Sequence, residues 1–328
     1  MQTDFFADEE IGWDFRTADT KELTHCFHSY PAMMIPQVAR RLIHLYGEKG
    51  GVLLDPFCGS GTALVEAKVF GMNSYGIDIN PLARYLAEAK THSLEPQLLH
   101  RLLTKILSTI HKKQQQSAFG EPPQVPDFFN IGYWFSERAV YDLQLLKDSI
   151  LSVAEEEACR NFFLVPFSAT VREASYTRNS EFKLFRLPKN KLHEHDPNVA
   201  QIFQQKAKRN IIGMAQFFPI AHKTVWVKIL DEDTRQRTSI VDNQIDLVVT
   251  SPPYGDSHTT VAYGQFSRLS LQWLGFDHRI GQAVDKKSLG GKVKNETSAL
   301  DLSPTLARTL DKIAELDPKR ANEVLSFF

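Results

Sequence analysis

Cysteine is scarce: Cys26, Cys58 and Cys159 stand far apart in 328 residues, and no CxxC pair occurs. Disulfide scaffolds and thiolate metal sites need more cysteines or closer ones, so neither is expected, and no bound metal is expected at all. The spacing suits a reducing cytoplasm. A surplus of one charge is also missing. Lys and Arg number 38 against 39 Asp and Glu, a formal charge of −1, so any footprint for nucleic acid has to be local. No apolar run approaches the roughly 20 residues of a membrane-spanning helix. The first residues, rich in Asp and Glu, lack a basic-then-apolar leader. Internal repeats are lacking too. The hydrophobic fraction of 42% is ordinary, and the length suffices for one large core or two modest ones.

The chain is organised around Val52-Leu53-Leu54-Asp55-Pro56-Phe57-Cys58-Gly59-Ser60-Gly61-Thr62. Its apolar start reads as a buried parallel strand that breaks into a tight two-glycine turn, and Ala63 to Phe70 then reads as a helix. Ser74-Tyr75-Gly76-Ile77-Asp78-Ile79 is a second strand, ending in a carboxylate. Strand, glycine turn, helix, strand and acid make the layout of a nucleoside-cofactor site. Glycine lets a ligand approach where a Cβ would collide, and Asp78 can accept from two ribose hydroxyls. The GxGxxG spacing is not completed, because Thr62, Ala63 and Leu64 follow Gly61. No lysine follows to cradle a diphosphate, which disfavours a nucleoside triphosphate.

A second motif lies far downstream. Asp246-Leu247-Val248-Val249-Thr250 reads as another buried strand, and it ends in Ser251-Pro252-Pro253-Tyr254. Two prolines fix two φ angles and remove two N–H donors, leaving carbonyl oxygens as acceptors. That suits an exocyclic amine, which has N–H groups to give. Hydrogen bonds from the amine to Ser251 and the Pro252 carbonyl would draw it towards a tetrahedral shape and free its lone pair. Tyr254 would stack on an extruded base, a contact of about 1–3 kcal/mol. Just upstream, Thr224 to Leu230 reads as a strand, and Asp231 or Asp233 at its end could accept from an adenine amino group.

Asp55 to Thr62 resembles, almost letter for letter, the cofactor loop of amino-methylating DNA methyltransferases, and Ser251 to Tyr254 resembles their catalytic tetrad. The likeness covers about residues 25 to 95 and 224 to 270, with the middle matched by position only. It implies a Rossmann-like class I methyltransferase sheet, an α/β fold, with a largely helical insertion. It implies S-adenosylmethionine bound by Asp55, Pro56, Phe57, Cys58, Gly59, Gly61, Thr62, Asp78, Ile79 and Asp233. Phe27, Tyr30 and Pro36, in the segment before the loop, would cover the methionine end. Serine at the head of the tetrad looks like the cytosine-N4 branch; adenine-N6 enzymes usually show Asp or Asn there. The order, cofactor motif first, departs from many cytosine-N4 enzymes. Cytosine-C5 chemistry is disfavoured, because its attacking cysteine follows a proline and no Pro-Cys pair occurs. An adenine-N6 enzyme, an RNA guanine methyltransferase and a split or inactive fragment are the alternatives.

On this reading residues 1–95 hold an irregular arm and the cofactor half, 96–222 an insertion for target recognition, and 223–328 the catalytic half. In the insertion, residues 170 to 210 carry nine cations against four carboxylates, interleaved with Tyr176, Phe182 and Phe185. Arg172, Arg178, Lys183, Arg186, Lys189 and Lys191 are the candidate phosphate contacts with double-stranded DNA. A cognate restriction endonuclease would be the genetic partner. Before the first strand, Val38, Leu42, Ile43 and Leu45 would face the core, with Arg40, Arg41 and His44 on the wet side. After Tyr254 the sequence predicts a mobile polar loop to Arg268, a basic glycine loop from Gly281 to Gly291, and a helix from Pro304 broken at Pro318. Strands beyond the catalytic one are not evident, although the resemblance implies three more. The expectation is a sheet lacking its C-terminal strands, whose open edge a second polypeptide would complete.

Overall fold

The computed structural model describes residues 12–116, 124–179, 181–252, 262–287 and 303–325. Four parallel strands form one sheet: β1 (Val52–Asp55), β2 (Asn73–Ile77), β3 (Val227–Leu230) and β4 (Leu247–Val248), in the spatial order β3-β2-β1-β4. Asp55 lies opposite Gly76 and Ile77 opposite Leu230, so the carboxyl ends of β1, β2 and β3 open along one edge. Succession along the sheet reverses at β1, which β2 and β4 flank. Ligands of open α/β sheets bind outside such a reversal.

The first strand–helix–strand unit forms as the sequence predicts. β1 leads into α2 (Thr62–Phe70), and α3 (Pro81–Thr91) follows β2, with the Asn80 side chain capping its first turn by accepting from Leu82 N at 3.1 Å. Glycine is required at two places. Gly61 sits at φ +81°, and a Cβ there would lie 2.8 Å from the Ala87 Cβ of α3. At Gly76 a Cβ would come within 2.5 Å of Leu64, so its bareness lets β2 pass under α2.

In α1 (Pro36–Tyr46), Ile43 is buried as expected, but Leu45 is exposed and Arg40 turns inward. Its guanidinium grips the buried Glu66 of α2 at 2.7 and 2.9 Å and also reaches Glu22, while His25 meets Glu66 at 2.8 Å. A buried carboxylate has to be paired, and this one takes its partners from α1 and from the lead-in.

The insertion is helical: α4 (Pro96–Gln116), the short α5 (Ile131–Trp134), α6 (Glu137–Val153), α7 (Glu157–Ala174) and α8 (Val199–Phe217). The apolar period running from Ser136 to Ala158 is two helices, divided at Ala154–Glu156. Their faces join Val65, Leu82 and Leu86 in one large core, where Phe162, Phe163, Phe203 and Trp273 are fully enclosed. The insertion therefore shares its core with the cofactor half. A smaller cluster, with Ala39, Ile43, Leu53, Leu64 and Val249, packs α1 and α2 on the sheet.

Two predicted loops are helical in their described parts. Tyr263 to Arg268 belongs to α9 (Tyr263–Trp273), and Gly281 to Lys287 to α10 (His278–Lys287). Polar composition misled here: the apolar face of α9, with Phe266, Leu269 and Trp273, is buried in the large core, and helical packing overrides the glycines. The helix from Pro304 is α11 (Pro304–Leu316), and α12 (Pro318–Leu325) follows, broken at Pro318 as expected. Among the described residues β4 pairs only with β1, and Val248 is 55% exposed at that edge.

Candidate cofactor and target-base site

A cleft opens at the carboxyl ends of the strands, where open α/β sheets bind ligands. Asp55, Pro56, Phe57, Cys58, Gly59 and Thr62 of the β1–α2 turn form its floor, with Ser60 among them. Asp78 and Ile79 close one end, Asp233 enters from the turn after β3, and Ser251 from the end of β4. Ser251, at the head of the second motif, thus shares one cleft with the first motif.

Asp78 is not a bare strand end. Its carboxylate accepts from Gly59 N at 3.0 Å and from Asn80 N at 2.7 Å, stapling the glycine turn to the start of α3. Burial pushes its pKa up to about 6, against the backbone N–H groups and Arg84, which favour the charged form. Asp55 accepts from Phe57 N at 3.2 Å, and burial pushes its pKa up to about 7. Both carboxylates take up a proton on mild acidification and then lose acceptor capacity. Cofactor affinity, measured by calorimetry, is expected to be flat above about pH 8 and to fall as pH drops through 7 towards 5; a flat profile would remove both from the binding surface.

The structure separates Asp231 from Asp233. Asp231 pairs with Arg84 at 2.7 Å, outside the cleft wall, whereas Asp233 lines the cleft with its carboxylate held by Arg235 at 2.9 and 2.6 Å. Thr234 ties this turn to the floor, donating to Pro56 O at 2.6 Å.

Some expected positions fall elsewhere. Phe27 is fully buried in the large core, edge-on to Phe162 at 5.3 Å, and Pro36 starts α1; neither lines the cleft. Gly61 packs against α3 behind it. Pro252 is exposed beside Ser251, and Pro253 and Tyr254 lie outside the described residues.

Tyr30 does line the cleft, and Pro31 to Met34 beside it were missed, as were Tyr263 of α9 and Val284 and Lys287 of α10. Only Asn80 carried a signal, an Asn-Pro helix start two residues after the acid. Its amide donates to Tyr30 Oη at 2.9 Å and Ser267 Oγ at 2.8 Å, joining the lead-in and α9 to the end of β2.

Among the basic candidates, Arg172 is corrected. It is 8% exposed, its guanidinium donates to the carbonyls of Phe266, Glu181 and Phe182, and it lies 4.5 Å over the Phe266 ring. That guanidinium braces a turn and is closed to phosphate. Thr177 and Arg186 pair across this turn, and Arg186 stacks on Tyr133 at 4.1 Å. Phe182 and Phe185 stand half exposed at the turn, and Arg178, Lys189 and Lys191 reach solvent. Lys183 lies part-buried among them. Among the described residues no His/Cys/Asp/Glu group could hold a metal ion, and no helix is long and apolar enough to cross a membrane.

A parallel sheet with a glycine turn after β1, an acid after β2 and a cleft at its reversal defines a Rossmann-like methyltransferase fold. A family model described as DNA methylase matches residues 8–89. The chain is 41% identical over 340 aligned positions to the type II methyltransferase M.MvaI of Kocuria varians, covering 96% of this chain and 73% of that one. It is 25% identical to the type II methyltransferase M.BsoBI of Geobacillus stearothermophilus, covering 87% of this chain and 59% of that one. A tRNA (guanine(10)-N2)-dimethyltransferase of Methanothermobacter thermautotrophicus is 46% identical, but over only 52 residues, 16% of either chain. No solved structure matches. The chain belongs to the type II DNA methyltransferases of the amino-methylating family, which use S-adenosylmethionine as methyl donor.

Proposed function

We propose that this protein methylates the exocyclic N4 amine of cytosine within a specific DNA site, as the modification partner of a restriction endonuclease. The observation that carries this is the convergence of Ser251 with the glycine turn and Asp78 in one cleft. The residues present fit the cofactor. The Asp78 carboxylate keeps lone pairs for ribose hydroxyls beyond the two N–H groups it accepts. Tyr30 and Asp233 stand where a methionine tail and an adenine would lie on either side. When bound, S-adenosylmethionine supplies an electrophilic methyl group on a sulfonium sulfur.

The protein's part is to hold the amine against that methyl. Ser251 and the Pro252 carbonyl would accept the amine's N–H groups, leaving its nitrogen pyramidal with the lone pair free, and the surplus amine proton would pass to water. Positioning supplies most of the rate, with no covalent enzyme intermediate. Tyr254 stacks on the extruded base. Serine at position 251 favours cytosine. Nucleoside analysis of methylated plasmid DNA by mass spectrometry should give N4-methylcytosine; N6-methyladenine would move the target base to adenine.

Residues 96–222 form the target-recognition region in this reading, and the basic turn with its half-exposed aromatics is the surface that follows phosphates. Charge reversal at Lys189 and Lys191 should weaken binding to all duplexes alike and lower the salt slope by roughly 0.9 per lost contact. An unchanged slope in a fluorescence titration would make these lysines ordinary surface. Among the described residues β4 pairs on one flank only, and this with the exposed Val248 supports a further proposal, that a second polypeptide adds strands there. Reconstitution that raises turnover would show it.

A further inference from the structure

Lys90 is wholly buried on α3, and its ammonium makes no ion pair among the described residues. Its recorded partner is neutral: Nζ donates to Ser60 Oγ at 2.9 Å. Fully enclosed lysines are rare without a counter-charge, because desolvation penalises the cation. Here burial pushes the pKa down to about 8, which leaves the ammonium form dominant at neutral pH. The buried carboxylate of Glu66 is taken by His25 and Arg40.

Ser60 explains where the compensation comes from. It lies between Gly59 and Gly61, is itself 3% exposed, and lines the cleft. Because its oxygen accepts from an ammonium, its own proton is left to give, and the contact polarises it as a donor. Among the described residues no acceptor is recorded for that proton. A cation-backed hydroxyl donor on a residue that borders the cleft is complementary to an anion bound there. S-adenosylmethionine has one anionic group, its amino-acid carboxylate.

We propose that Lys90, acting through the Ser60 hydroxyl, is the positioning residue that recognises the carboxylate end of the cofactor. This rests on reading the cleft as the cofactor site, and it fixes the ligand's direction: carboxylate at Ser60, ribose at Asp78, adenine towards Asp233. Lys90 touches no ligand itself; it charges the donor that does.

Calorimetric titration with two ligands tests it: S-adenosylhomocysteine and its decarboxylated counterpart S-adenosyl-3-thiopropylamine. Wild type should prefer the carboxylate-bearing ligand by roughly 10- to 100-fold, the range of one charge-assisted hydrogen bond. Lys90→Met and Ser60→Ala should each erase that preference by weakening S-adenosylhomocysteine alone, and Ser60→Thr, which keeps a hydroxyl, should restore it. Should Lys90→Met not fold, Lys90→Gln, which keeps a donor for Ser60 without the charge, should still lower the preference, and an unchanged preference there would overturn the proposal. Equal weakening of both ligands would make Lys90 a structural residue and overturn the proposal, as would a preference retained in Ser60→Ala. A wild-type protein that binds neither ligand would refute the cofactor site itself, a different failure.

Discussion

Asp78→Ala is expected to abolish detectable cofactor binding, a loss of at least about 100-fold, since two charge-assisted hydrogen bonds to ribose hydroxyls are worth about 1.5–3 kcal/mol each. The structure adds a second cost. The same carboxylate holds Gly59 N and Asn80 N, so its removal also frees the glycine turn from α3. Leaving those two N–H groups without their acceptor should cost on the order of 1–3 kcal/mol of fold stability. The sheet and the large core do not depend on this contact, so far-UV circular dichroism should stay native and the denaturation midpoint should fall moderately. Wild-type affinity in the variant would remove Asp78 from the site.

Ser251→Ala is expected to do the reverse. The hydroxyl is assigned to the target amine and not to the cofactor, so S-adenosylhomocysteine affinity should stay within about twofold. Methyl transfer should fall roughly 100- to 1,000-fold, as when one preorganised hydrogen-bonding group is removed from the reacting centre. Tyr254→Ala should share this pattern through loss of base stacking. Single-turnover methylation with cofactor already bound separates the two effects. Full turnover in either variant would leave the tetrad without its role, and a parallel loss of affinity would put Ser251 on the cofactor instead.

Much of the fold was legible because its signals are local. A four-residue apolar strand, two glycines and a helix-forming run specify β1, its turn and α2 with little help from the rest of the chain. The same holds for β2, whereas the strand before Ser251, expected as buried, forms only over Leu247–Val248 with Val248 exposed. Tertiary packing decided what was misread. Nothing local marks Tyr263 to Trp273 as helical; its amphipathic face matters only once the core of α3, α7 and α8 exists to receive Phe266 and Trp273. Phe27 reads equally well as a cofactor wall or a core residue, and Phe162 settles it.

Charged residues were the least legible. Arg40, Arg172 and Lys90 look like surface cations in sequence. Each is drawn inward by a partner distant in the chain: Glu66 for Arg40, the carbonyls around Phe182 and Phe266 for Arg172, Ser60 for Lys90. Asn80 shows the opposite case, where a local helix cap also holds Tyr30 and Ser267 across the cleft.

The most direct test is a competition. The protein is given S-adenosylmethionine with a labelled methyl group and an equimolar mixture of duplex DNA and tRNA, and each nucleic acid is then digested to nucleosides. The label should appear in the DNA alone, on an exocyclic amine. Label in the tRNA, or on a ring carbon, would contradict the assignment of this cleft to DNA amine methylation.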